Sequence, residues 1–142
     1  MITIRELKHA TSSAAKEINA LLPQLSSSPR PLMLNDLKGI LRERSNQVVV
    51  VLDGKRIVGM GILLFTRTAM GFHAGIEDVV VDAAYRGRGL GQKLMKKLIT
   101  LARKNKAKSI ELSSRPSRVA ANKLYQKLGF KPKETNVYRL KL

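Results

Sequence analysis

The chain has 142 residues, 44% of them hydrophobic, which suits one domain spanning 1–142 with its own core. It has no cysteine, so disulfides, thiolate metal sites and a cysteine nucleophile are excluded. Its 27 Lys/Arg against 10 Asp/Glu give a net charge of +17, and residues 86–142 alone hold 17 basic and 2 acidic residues. Such a field draws polyanions: nucleic acid, an acidic membrane surface, or a phosphorylated cofactor. The first residues lack a signal-peptide core, and no apolar run approaches the roughly 20 residues that span a bilayer. A soluble cytoplasmic protein, with no membrane partner, is the expectation.

Residues 2–8 alternate and predict a strand. Residues 11–22 carry Ala14, Ala15, Ile18, Leu21 and Leu22 at helical spacing, with Thr11, Ser12 or Ser13 available as N-cap. The Ser- and Pro-rich stretch from Leu25 to Pro31 is a loop. Residues 33–44 return to helical period through Leu34, Leu37, Ile40 and Leu41. Residues 47–52 (QVVVVL) and 56–66 (RIVGMGILLFT) read as two strands joined by the turn signal Asp53-Gly54. Gly59 and Gly61 inside the second strand predict a bulge or a close backbone approach. Residues 73–82 predict another strand, 91–104 an amphipathic helix, 108–113 a strand, and 117–128 a short helix closed by Gly129. The alternation of Tyr138, Leu140 and Leu142 predicts one or two last strands within 130–141. The element order implies an α/β chain of α+β type: a mixed, mostly antiparallel central sheet flanked by helices.

Arg86-Gly87-Arg88-Gly89-Leu90-Gly91 lies between a predicted strand and a predicted helix. The first N–H groups of a helix lack intrahelical partners and, with the macrodipole, form an anion site. Alternate glycines let phosphate oxygens approach the backbone, and two arginines add forked donors. The run predicts a pyrophosphate cradle. It fails the dinucleotide fingerprint, because positions 92 and 94 are Gln92 and Leu94. It fails the P-loop too, because Gly91 is followed by Gln92-Lys93.

The pattern Arg86-x-x-Gly89-x-Gly91 resembles the acyl-CoA loop of the GNAT N-acetyltransferase superfamily. Residues Ala121 to Phe130 (ANKLYQKLGF) resemble that family's second signature, although Arg118 stands where many members place an asparagine. The close resemblance covers residues 76–130. It implies an acyl-CoA-binding fold, acetyl-CoA as cosubstrate without a metal, and a small-molecule or peptide amine as acceptor. It also implies pantetheine contacts from the backbone of Val79, Val80 and Val81, and pyrophosphate contacts from Arg86, Gly87, Arg88, Gly89, Leu90 and Gly91. Asn122 is implied as a cofactor contact and Tyr125 as a cofactor contact and the acid that protonates the departing thiolate. The family often dimerises, so a homodimer is a further expectation.

Acetyl transfer to an amine needs a base for the ammonium proton and N–H donors for the carbonyl oxygen. Glu77 is the first candidate base and Asp78 its rival. On a regular strand the two point to opposite faces, and Asp82 shares the face of Asp78. His9 and His73 lie too far apart in sequence to suggest a metal site. Two other readings compete with the enzyme: a basic nucleic-acid-associated protein, which the low aromatic content does not favour, and a CoA-binding module without catalysis.

Overall fold

The computed structural model describes residues 1–142. They divide into two compact units, Met1–Leu112 and Ser113–Leu142, each described by itself.

The first unit is a five-stranded sheet with helices. Its elements are β1 (Ile2–Glu6), α1 (Ser12–Leu21), α2 (Leu34–Arg42), β2 (Asn46–Asp53), β3 (Arg56–Thr68), β4 (Gly71–Val81), α3 (Leu90–Lys104) and β5 (Ile110–Glu111). Spatial order follows chain order, β1 to β4 are antiparallel, and β5 runs parallel to β4. Thr11 caps α1 by accepting from the Ala14 N–H at 3.0 Å. The Asp53-Gly54 turn closes the β2–β3 hairpin on the pair Asp53↔Arg56, with Gly54 at φ +60°.

The run Val48–Leu52 is buried throughout because helices cover both faces of the sheet. Ala14, Ala15, Ile18, Leu21 and Leu37 pack with Val48, Val50, Met60, Ile62 and Val80. On the other face α3 buries Leu94, Met95, Leu98 and Leu101 against β2, β3 and β4. Both strand glycines are close approaches. A Cβ at Gly59 would lie 3.0 Å from the Val80 carbonyl oxygen and 3.2 Å from Val51, and one at Gly61 would lie 2.9 Å from Leu98 Cδ1. No helix is long and apolar enough to cross a membrane.

Two strand expectations need correction. β5 is two residues long rather than six, because it ladders with β4 only at Ala74↔Ile110 and Gly75↔Glu111. The expected strands within 130–141 do not form. The second unit holds one helix, α4 (Val119–Lys127), and its tail leaves Val137, Tyr138, Leu140 and Leu142 more than four-fifths exposed. Alternation makes a strand only where a neighbouring strand accepts its hydrogen bonds, and this unit contains none. α4 does end at Gly129, as its sequence indicates. Gly129 has φ +101°, and the Phe130 N–H returns to the Tyr125 carbonyl at 3.0 Å.

Candidate functional site

β4 has two unlike halves. From Ala74 to Gly75 it is paired on both sides. From Ile76 to Val81 only β3 pairs with it, so one edge has no strand partner. The Asp82 N–H donates to the Val58 carbonyl at 2.8 Å, so the backbone groups of Val80, two residues back, turn toward β3 as well. Those of Val79 and Val81 turn to the open edge. Val80 instead gives its side chain to the core.

A bulge interrupts this half. Met60 pairs with Val80 and Ile62 with Glu77, which leaves Asp78 and Val79 opposite the single residue Gly61. Asp78 adopts φ +54°, a left-handed conformation that aspartate tolerates better than most residues. The bulge interrupts the two-residue period on which the expected opposition of Glu77 and Asp78 rests, and both residues are exposed. The Asp78 residue meets solvent, yet partial desolvation of its carboxyl pushes its pKa above the ordinary value. Asp82 does not share a strand face with Asp78. It lies beyond the strand, accepts from the Ala84 N–H at 3.1 Å and faces Arg56 at 3.9 Å.

After β4 the chain makes a 3-10 turn at Ala83–Tyr85 and enters the glycine run. Gly87 and Gly89 have φ +79° and +73°, and a Cβ at either would meet nothing within 4 Å. The glycines serve backbone conformation, and the space beside them is open. Gly89 is the N-cap of α3, so Gly91 is already its second residue rather than part of the loop. The first intrahelical bond at this end joins the Lys93 N–H to the Gly89 carbonyl at 3.1 Å. The N–H groups of Leu90, Gly91 and Gln92 thus have no helical acceptor.

Arg86 and Arg88 are exposed, and neither is in a salt bridge. Arg86 donates to Gln24 Oε1 at 3.2 Å, and that oxygen also accepts from the Ala83 N–H at 3.0 Å. The Arg88 guanidinium lies 4.9 Å from the centroid of the Tyr85 ring. The Tyr85 hydroxyl donates to Asp53 Oδ2 at 2.6 Å. That bond, with help from the terminal ammonium 3.4 Å from Asp53, lowers the Asp53 pKa; the same bond, with burial, raises that of Tyr85. The sequence reading missed Gln24, Tyr85 and the second duty of Asp53. The Asp-Gly pair signalled only a turn, and nothing in the chain order links it to a tyrosine 32 residues later.

The structure thus brings Val79 and Val81 together with Arg86 to Gly91 at one end of β4. Asn122 and Tyr125 belong to the second unit. Asn122 Nδ2 donates to the Arg115 carbonyl at 3.0 Å, fixing the turn that precedes α4. Tyr125 is buried, with its ring edge-on to Phe130 at 6.1 Å between centroids.

Open edge, orphan amides and uncompensated arginines suit an extended ligand that ends in a pyrophosphate. The sequence model of the acetyltransferase (GNAT) family matches residues 14–130. The chain is 35% identical to a glucosamine 6-phosphate N-acetyltransferase of Trypanosoma brucei brucei, over 94% of this chain and 91% of that protein. It is 30% identical to the N-acetylaspartate synthetase of Xenopus tropicalis over 72% of this chain, which spans only 41% of that relative's length. A crystal structure of a Trypanosoma brucei acetyltransferase superposes with a TM-score of 0.80 at 30% identity, covering all of both chains.

Proposed function

Since the chain belongs to the GNAT acetyltransferase family, we propose that residues 1–142 act as one N-acetyltransferase domain that moves an acetyl group from acetyl-CoA to a small amine. The family match runs through both compact units, which supports a single working domain. The observation that carries the reading is the unpaired edge of β4 leading directly into the glycine run.

Acetyl-CoA supplies an activated thioester, and the chain does the rest. Val79 and Val81 offer the backbone groups of an edge strand to the pantetheine amides. The N–H groups at the start of α3, with Arg86 and Arg88, hold the pyrophosphate. The base is one of the two exposed carboxylates, Glu77 or Asp78. Glu77 sits on the open stretch, while desolvation raises the proton affinity of Asp78, which suits it to take a proton from an ammonium. Direct attack by the neutral amine breaks the C–S bond, so no covalent enzyme intermediate is needed. Tyr125 is the proposed acid for the thiolate, and Asn122 a proposed cofactor contact through the turn it braces.

The trypanosomal relative acts on glucosamine 6-phosphate and matches nearly the whole chain, which supports an amino sugar phosphate as acceptor. The test is thiol release from acetyl-CoA across amino sugars, their phosphates, polyamines and peptides. An amino sugar phosphate as the best substrate is the expected result; preference for a polyamine or peptide would overturn that acceptor class. Tyr125→Phe should lower kcat at neutral pH by about tenfold or more while CoA affinity stays nearly unchanged. An unchanged kcat removes Tyr125 from the mechanism.

A further inference from the structure

Two arginines face open space in the glycine run, and each is oriented by a group that leaves its charge intact. Arg86 meets an amide oxygen and Arg88 an aromatic face. A carboxylate in either place would orient the guanidinium as well, but it would compete with a phosphate for the same donors. Asp53 feels the charge of Arg88 but forms no salt bridge with it, and its carboxylate accepts from the Tyr85 hydroxyl instead. Asp53 is itself fixed by closing the β2–β3 hairpin. Gln24 is fixed on the other side, where a single oxygen ties the backbone of the 3-10 turn and the Arg86 side chain together.

We propose that Gln24 and the Asp53–Tyr85 pair are positioning residues, holding Arg86 and Arg88 oriented but uncompensated so that both meet the pyrophosphate of the acyl donor without first being ordered. Long cationic side chains lose rotamer freedom when they bind, and a preset geometry removes that cost from the affinity. The inference rests on the acyl-CoA reading of the glycine run.

The experiment measures KM and kcat for Gln24→Ala, Tyr85→Ala, Tyr85→Phe and Asp53→Asn with two donors: acetyl-CoA and S-acetylpantetheine, which ends before the pyrophosphate. Tyr85→Ala should raise the KM for acetyl-CoA about tenfold with kcat held within about twofold, in keeping with a cation–π contact and lost preorganisation. Its penalty with S-acetylpantetheine should be several-fold smaller. Tyr85→Phe, which keeps the ring, should recover part of the loss. Equal penalties with both donors would overturn the inference, because a merely damaged fold hurts both alike. So would an unchanged KM for acetyl-CoA. Titration of wild type, Arg88→Ala and Tyr85→Ala with CoA separates the two levels. Failure of the wild type to bind CoA overturns the acyl-CoA reading itself. Binding that weakens in Arg88→Ala but not in Tyr85→Ala leaves that reading standing and overturns only the positioning role.

Discussion

Gly59 and the pair Gly87/Gly89 are the same residue type doing opposite jobs. At Gly59 the surroundings are full: a methyl group would press on the Val80 carbonyl oxygen and on the Val51 side chain. At Gly87 and Gly89 the surroundings are empty, and only the positive φ calls for glycine. The first glycine lets a sheet pack against itself. The other two shape a loop whose neighbouring volume is left for something else. A motif search weighs all three alike, whereas the structure separates a glycine required by packing from two required by backbone conformation.

That contrast can be broken by substitution. The largest effect belongs to the ligand side. Arg86→Ala combined with Arg88→Ala should raise the KM for acetyl-CoA about 100-fold, because charge-assisted hydrogen bonds contribute roughly 1.5–3 kcal/mol each. The melting temperature should hardly move, since both side chains are exposed and outside any salt bridge. A large fall in melting temperature with KM intact would make the loop a structural connector. Next comes the fold side. Gly59→Ala should cost about 1–3 kcal/mol by overpacking and lower the melting temperature by several degrees. Its KM should stay near wild type, and a raised KM would show that Gly59 also shapes the donor site.

Gly89→Ala should lie between these behaviours, with about 1 kcal/mol lost to left-handed strain and a KM raised several-fold as the start of α3 distorts. Calorimetry and kinetics on the same sample resolve the two parts. The smallest effect is a pH dependence of stability. Asp53 has a lowered folded pKa, so its contribution is present above the ordinary carboxylate value and is lost as pH falls through the lowered one. Tyr85 has a raised folded pKa, so its contribution is full below the ordinary tyrosine value and is lost as pH rises through the raised one. Asp53→Asn should flatten both limbs of the melting temperature against pH. Unchanged limbs would show that the hydroxyl–carboxylate bond does not form in solution.

Much of the fold was legible because its signals are local. The VVVVL run, the Asp-Gly turn, the Thr11 cap and the Gly129 stop each act within a few residues. The glycine run was legible for the same reason. The bulge at Asp78 was not: IEDVVVD reads as one unbroken strand, and the displaced residue carries a side chain rather than marking the site with glycine. The clamp on the arginines was hidden because its partners are far apart in sequence. The tail misled because alternation reports a willingness to pair and says nothing of a partner.

Gly61 has a consequence for reach. The bare backbone there lets α3 settle against the sheet, with Leu98 closer than any side chain would allow. The same helix begins at the glycine run, so its height above β3 sets how far that run, the proposed pyrophosphate site, stands from the open edge of β4. The proposed acyl donor must cover that span with an arm of limited reach. One absent methyl group therefore acts as a gauge block for that span. The one close contact of Gly61→Ala is with the flexible end of Leu98, while Val79 and Leu94 lie at ordinary contact distance, so the fold tolerates it better than Gly59→Ala. A shift of a few tenths of an ångström in the anchor would instead appear in turnover, where misplacement by about 1 Å can cost 100-fold.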